Sequence, residues 1–92
     1  MISHTTERFR DCFERLPESV REDARKAFKL FAQDPFDPRL HFKCVHPNHP
    51  IYSARVNKDG YRAVGLRDGE DIDWYWIGDH NEYMRVIRQW PV

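Results

Sequence analysis

A histidine and a tyrosine three residues apart are the side chains of this sequence best suited to chemistry. Residues 74–83 read WYWIGDHNEY, a strand-like aromatic run that stops at a glycine. A helix start follows, because Asp79 can act as the N-cap and Glu82 as its capping-box partner. His80 and Tyr83 then share a face of the first helical turn, where free N–H groups attract anions such as phosphate. The two side chains could transfer protons on RNA, or they could simply decorate a capped helix.

Composition limits the chain to one domain, residues 1–92, with six Phe, four Tyr and three Trp for its core. The net charge is zero, which argues against a strong nucleic-acid binder overall. The charge is uneven, however, since residues 39–67 carry six Lys or Arg and one acid, whereas residues 68–83 carry six acids and no Lys or Arg. This basic segment is typical of a phosphate-binding surface, and equally of solvated strand faces.

The sequence also predicts where the protein works. No apolar segment approaches the length of a membrane span, and the N-terminus lacks the apolar core of a signal peptide. The two cysteines, Cys12 and Cys44, are too few for a disulfide framework, so we expect reduced thiols. We therefore predict a cytoplasmic protein with no membrane partner.

Apolar spacing predicts an α+β fold. Pro17 separates two amphipathic helices closely enough for an antiparallel hairpin, and the NKDG sequence at 57–60 is a good β-turn. The N-terminal helical hairpin is expected on one face of an antiparallel sheet of about four strands, and a short C-terminal helix on the other. Trp74 and Trp76 are expected to share a strand face in the core. The expected elements are helices at 6–16, 18–34 and 79–89 and strands at 40–45, 51–56, 61–67 and 72–77.

A cluster of potential metal ligands precedes the second strand. His41, Cys44, His46 and His49 have the spacing H-x-x-C-x-H-x-x-H. Structural zinc sites use paired knuckles with a turn between them, and strand alternation would send Cys44 to the face opposite His41. We therefore expect no metal and no cofactor, with His46 and His49 lining a proline-bounded loop.

Several motifs resemble those of one family. They are RFR at 8–10, LP at 16–17, the segment 35–42, YSAR at 52–55, GYRA at 60–63 and WIGDHNEY at 76–83. With the order of elements, they resemble the RelE/ParE superfamily of bacterial toxins from type II toxin–antitoxin pairs. That fold usually opens with a short strand, for which only residues 2–5 are available. RelE-type members are ribosome-dependent mRNA endonucleases, whereas ParE-type members inhibit DNA gyrase.

The resemblance assigns roles to three residues. Arg62 matches the arginine of the family's Gly-Tyr-Arg motif and would stabilise charge on the phosphate during cleavage. His80 matches a C-terminal histidine of several members and would transfer protons, and Tyr83 would stack on a base or donate a hydrogen bond. Strand alternation places Arg62 on the face of Val64. Its alternative role is a salt bridge to an acid within residues 68–73.

Four further residues are weaker candidates for RNA contacts. Lys43 and Arg55 could bind phosphates, although a solvated strand residue is the simpler interpretation of each. His46 and His49 come from a region that contributes histidines to the site in related toxins. The chain departs from RelE-type toxins in being neutral, and in lacking the catalytic lysines of several relatives apart from Lys43.

Three hypotheses about function remain open at this level. The first is a metal-independent mRNA endonuclease whose partners are the ribosome and mRNA. The second is a non-catalytic, ParE-like inhibitor of DNA gyrase, and the third is a degenerate member that only binds proteins. All three imply a cognate antitoxin, expected to bind across the sheet or the terminal helix, where Ile87 and Trp90 would otherwise be exposed.

Overall fold

A five-stranded mixed sheet carries helices on both of its faces. The computed structural model describes residues 1–89, and within them the strands lie in the order β1-β5-β4-β3-β2. The elements in chain order are β1 (Ile2–Thr5), α1 (Glu7–Glu14), α2 (Glu18–Gln33), a 3₁₀-helix (Pro38–Leu40), β2 (Lys43–Cys44), β3 (Ile51–Arg55), β4 (Arg62–Asp68), β5 (Asp71–Gly78) and α3 (His80–Arg88).

The α1–α2 hairpin covers the first face of the sheet, as predicted. α1 begins where the Thr6 hydroxyl accepts a hydrogen bond from the Phe9 amide, and it ends before Pro17, whose ring cannot continue a helix. Trp74 of β5 is fully buried beneath the hairpin, and the rings of Phe28 and Phe31 meet it edge-on, with centroids 5.7 and 5.4 Å away. These contacts fix the hairpin against the centre of the sheet.

The predicted strand count of about four is one short. β1 adds a fifth strand, because Ile2–Thr5 pairs in parallel with the first half of β5, while the other strand pairs are antiparallel as expected. All four residues of β1 are exposed, so the segment lacks the alternation of apolar and polar residues that marks a half-buried strand.

β2 is much shorter than the predicted strand at 40–45. The chain first forms a 3₁₀ turn, and His41 then adopts a left-handed conformation with φ of 46°, which breaks extended structure. β2 therefore pairs only with Tyr52 and Ser53. The last two residues of β3, Ala54 and Arg55, consequently lie at the edge of the sheet.

A β-bulge separates Trp74 and Trp76, which the sequence analysis wrongly placed on one face. Trp76 pairs with Val64 and Trp74 with the next residue, Gly65, so Tyr75 is the extra residue between them. Trp74 joins the core under the helical hairpin, whereas Trp76 packs on the second face with Val64 and Tyr75. Both tryptophans are buried, as predicted.

α3 packs on the second face of the sheet. It begins at the predicted place, where the Asp79 carboxylate accepts a hydrogen bond of 2.9 Å from the Glu82 amide. Ile87 is half-buried, and Trp90, which we expected beside it, lies outside the described residues. Within residues 1–89, no helix is both long and apolar enough to cross a membrane.

Candidate active site

Arg62 lies at the start of β4 with its side chain on the face that α3 covers. Its cross-strand neighbours are Arg55 of β3 and Gly78 of β5, and a Cβ at Gly78 would lie only 2.5 Å from the ring of Trp76. The guanidinium carbon is 5.5 Å from the centroid of the Tyr83 ring. Strand alternation and the packing of α3 together bring this cation against an aromatic face.

Two nitrogens of Arg62 have no conventional partner. Nε and Nη1 are buried, and neither forms a hydrogen bond within the described part of the chain. The alternative salt bridge to an acid of residues 68–73 is not formed there either. Burying unpaired donors of a charged group lowers stability. An anion can reach these two nitrogens only if the side chains around them move.

Tyr83 lies at the centre of the site, in contact with both Arg62 and His80. Its ring is buried on the second face, and its hydroxyl donates a hydrogen bond of 3.3 Å to Oγ of Ser53. Ser53 is the one buried polar residue of the described core and stands on the same face as Arg55. Ser53 was not predicted from the sequence, because a serine within a strand carries no chemical signal. Its position two residues before Arg55 was the available indication.

His80 occupies the first position of α3 and is exposed. Its ring centroid lies 5.8 Å from that of Tyr83, so the two side chains share a helix face as expected. The backbone of the β3–β4 turn approaches His80 closely at Gly60, where an added Cβ would lie 3.1 Å from the His80 Cβ. Gly60 also has φ of +93°, a conformation that favours glycine. The turn thus helps to position His80.

The cluster of Arg62, Tyr83 and His80 is called the Tyr83 cluster below. Of the other candidate residues, Lys43 and Arg55 lie near it, whereas His46 and His49 lie farther away. Lys43 pairs with Ser53 and Arg55 pairs with Arg62, so strand alternation places both on the face of Arg62, and Arg55 Nε donates to the carbonyl oxygen of Asn57 at 3.1 Å. His46 and His49 pack against each other, with ring centroids 4.8 Å apart, in the loop before β3. That loop is at the opposite end of β3 from Arg55, roughly 13 Å along the strand. The described residues show no ring contact or hydrogen bond between either histidine and the Tyr83 cluster.

The histidine–cysteine cluster is not arranged as a metal centre. Among residues 1–89, no three His, Cys, Asp or Glu side chains are placed to hold a metal ion together. The Cys44 sulfur instead lies 3.4 Å from the carbonyl oxygen of His46, and the His46 ring nitrogen Nδ1 accepts a hydrogen bond from the Asn48 amide.

The arrangement around Tyr83 combines two chemical capacities. Arg62 offers a planar, permanently charged fork that matches two oxygens of a phosphate. His80 offers an exposed imidazole, the side-chain type that most often transfers protons in enzyme catalysis. Both contact one buried tyrosine, so the fold holds a phosphate-binding cation and a proton-transfer group on one side of the sheet.

The sequence matches one protein-family model, and the fold matches several solved structures. A model of the ParE-like toxin domain family matches residues 18–85. No curated protein matches the sequence significantly. Solved structures with the same fold include the RelB–RelE antitoxin–toxin complex from Methanococcus jannaschii, with a TM-score of 0.70 at 13% identity over 89% of this chain and 95% of that one. The isolated RelE toxin of E. coli has a TM-score of 0.63 at 18% identity, over 96% of each chain. The intact E. coli RelBE complex gives 0.63 at 19% identity, over 85% of this chain and 94% of the other.

Proposed function

Because the chain belongs to the ParE-like toxin domain family, within the RelE/ParE superfamily of toxins from toxin–antitoxin systems, we propose that it is a ribosome-dependent, metal-independent mRNA endonuclease. The observation that carries this proposal is the convergence of Arg62 and His80 on Tyr83. Arg62 keeps two buried nitrogens without partners in the described chain, at a cost in stability. An unsatisfied buried polar group in a native protein calls for an explanation, and a catalytic role is one that would account for it.

The proposed reaction uses side chains on this face of the sheet, the RNA and solvent water. The ribose 2′-hydroxyl loses a proton and its oxygen attacks the adjacent phosphorus. The bond from phosphorus to the 5′ oxygen then breaks, and that oxygen takes up a proton, which leaves a 2′,3′-cyclic phosphate and a 5′-hydroxyl end. His80 serves one of the two proton transfers and solvent water exchanges the other proton, while the Arg62 fork binds the phosphate oxygens as negative charge builds on them. Tyr83, whose ring is buried and whose hydroxyl already donates to Ser53, holds Arg62 and His80 in place instead of stacking on a base, and Lys43 and Arg55 hold neighbouring phosphates.

Two partners follow from the proposal. The ribosome presents the mRNA, and the site of action is then the cytoplasm. The second partner is a cognate antitoxin, because two of the structures that share this fold are complexes of RelB with RelE. The second face of the sheet and α3 are where we expect the antitoxin to block access to Arg62.

Gyrase inhibition is the second candidate. The matching family model carries the description ParE-like, and ParE-type toxins act on gyrase through a protein interface instead of by catalysis. Under this alternative His80 has no chemical role. Loss of activity on replacement of His80 by alanine therefore favours the nuclease, and retained toxicity favours the inhibitor.

The test is primer extension on a reporter mRNA in a cell-free translation reaction. Wild type, Arg62→Ala and His80→Ala are compared with and without ribosomes. His4→Ala and Arg10→Ala serve as matched controls, because both residues are exposed and lie on β1 and α1, away from Tyr83. We expect ribosome-dependent cuts that are lost in both site variants and retained in both controls.

Intact mRNA with a wild-type protein that still arrests growth would contradict the nuclease. A gyrase supercoiling assay with the same five proteins then tests the second candidate. Absence of both activities, with antitoxin binding retained, would identify a member that only binds proteins.

A further inference from the structure

A second basic surface lies outside the Tyr83 cluster. An open groove of about 770 Å³ runs between α2 and the β3–β4 turn, along the sheet edge that the short β2 leaves uncovered. Its floor is apolar and includes Leu30 and Val56. Its lining carries five basic residues against two acids, Asp23 and Asp59, in a chain of zero net charge. The basic residues are Lys26, Lys29, Arg39, Arg55 and Lys58.

Most of this positive charge is available to a ligand. The side chains of Lys26, Lys29 and Lys58 are exposed, and none forms an ion pair within the described residues. Arg39 is engaged, because it donates hydrogen bonds to Asp37 and so lowers the pKa of that carboxyl to about 2. The three lysines therefore present ammonium groups that nothing in this part of the structure neutralises.

Arg55 joins the groove to the candidate active site. It lines the groove, and its Cα partner across the strands is Arg62. The β3–β4 turn, which carries Lys58, also meets His80 through Gly60. The acids Glu70 and Asp71 lie at the turn between β4 and β5, which is the opposite end of the sheet. A polyanion is thus attracted to the end of the sheet where both sites lie.

We propose that this groove binds the phosphodiester backbone of RNA, as a site separate from the cleavage site. The biological role of this binding rests on the proposed function, whereas the binding itself does not. Lysine ammonium groups around an open groove suit contacts to phosphate that ignore base sequence. Arg55 lies at the sheet edge between the groove, on the α2 side, and Arg62, on the α3 side, so an RNA strand bound at Arg62 can pass around this edge towards the lysines. That path favours RNA over an acidic polypeptide as the occupant.

The experiment measures RNA binding separately from RNA cleavage. The first probe is a fluorescent 2′-O-methyl oligonucleotide, which keeps every phosphate but lacks the attacking hydroxyl. The second is a protein-free transcript of small-subunit ribosomal RNA. The groove variant is Lys26→Gln with Lys29→Gln, and its matched control is Arg10→Gln with Arg25→Gln, which removes the same charge from exposed residues of α1 and α2 outside the groove. Binding is followed by anisotropy as a function of salt concentration.

We expect the groove variant to lose roughly 20-fold in affinity at 0.1 M salt, because each phosphate contact contributes about 0.7 to the logarithmic salt slope of a single strand. Loss with the oligonucleotide identifies the cleaved strand as the occupant, and loss with the ribosomal transcript alone identifies ribosomal RNA. Unchanged affinity for both probes, or no measurable binding by wild type, would overturn the proposal. So would weakened binding of a poly-glutamate peptide with RNA binding intact.

Arg62→Ala separates this proposal from the proposed function. It should abolish cleavage and leave the groove's affinity for the oligonucleotide within about fivefold of wild type, since only one phosphate contact of several is removed. Cleavage that fails in the wild type, together with RNA binding that depends on the lysines, would reject the nuclease and retain the groove.

Discussion

The ring of Tyr83 lies over the guanidinium of Arg62, with 5.5 Å between the guanidinium carbon and the ring centroid. Within the described chain this aromatic contact takes the place of a carboxylate partner. A carboxylate would neutralise the arginine, whereas an aromatic face leaves its charge intact. The site therefore keeps a full positive charge on the face of the sheet that we propose for RNA.

Replacing Arg62 by methionine should separate stability from activity. Methionine fills a similar volume without burying unpaired donors, so we expect the free energy of unfolding to rise by about 1 kcal/mol. Cleavage should fall by about 100-fold or more, because the phosphate loses its stabilising fork. Urea denaturation and primer extension measure the two effects. A less stable Arg62→Met protein would mean that the arginine contributes favourably to the fold.

The hydrogen bond between Ser53 and Tyr83 should appear as coupling in a double-mutant cycle. Ser53→Ala and Tyr83→Phe each leave a buried hydroxyl without its partner, and each should cost about 1–2 kcal/mol of stability. The double variant removes both hydroxyls, so its loss should be smaller than the sum by about 1 kcal/mol. Strictly additive losses in urea denaturation would show that the hydroxyls do not interact.

Gly60→Ala and Gly69→Ala form a matched pair that tests how His80 is positioned. Both glycines have positive φ, so each substitution should cost about 1 kcal/mol. Only at Gly60 does the added methyl group meet His80, since nothing lies within 4 Å of a Cβ at Gly69. We expect Gly60→Ala to shift the imidazole NMR signals of His80 and to slow cleavage. Equal effects of the two variants would contradict this contact.

Tyr75 should make stability sensitive to alkaline pH. Burial raises the pKa of its phenol from 10.0 to about 12, and the nearby Arg8 guanidinium opposes part of that shift. The folded state therefore favours the neutral phenol, and this contribution is fully present below pH 10 and is lost as pH rises towards 12. Unfolding free energies of wild type and Tyr75→Phe should differ by a constant amount below pH 10, and the wild type should lose stability relative to Tyr75→Phe as the pH rises from 10 to 12. A constant difference at every pH would contradict the shift.

The elements that could be predicted are those that local chemistry determines. The stripe of apolar residues through Phe31 and the break at Pro17 specify the helical hairpin. The NKDG turn ends in Gly60, which has the positive φ that the turn requires. The side chain of Asp79 caps α3 as its spacing to Glu82 indicates.

The elements that could not be predicted depend on tertiary pairing. β1 is entirely exposed, and only its pairing with β5 makes it a strand. The bulge at Tyr75 inverts the alternation that the sequence analysis assumed for Trp74 and Trp76. His41 adopts a left-handed conformation that shortens β2. Because the residue is neither glycine nor asparagine, the sequence did not indicate this conformation.

The candidate site was partly accessible from sequence. Helical spacing places His80 beside Tyr83, and strand alternation gives the face of Arg62, but the contact between the two elements needs the packing of α3 on the sheet. The catalytic roles of these residues remain predictions. The groove was not anticipated, because its lysines come from α2 and from a distant turn, and only the fold brings them together.

The order of pairing along the chain bears on when the protein acquires its site. β1 can pair only after β5, the last strand, has been synthesised. The helix α3, which carries His80 and Tyr83, follows β5 in the chain. A nascent chain that has released only β3 and β4 carries Arg62 without its histidine or its tyrosine. A nascent chain in which α3 has not yet been synthesised therefore lacks the proposed cleavage site. If the proposed nuclease function holds, a ribosome making this protein meets no complete site until α3 has been released.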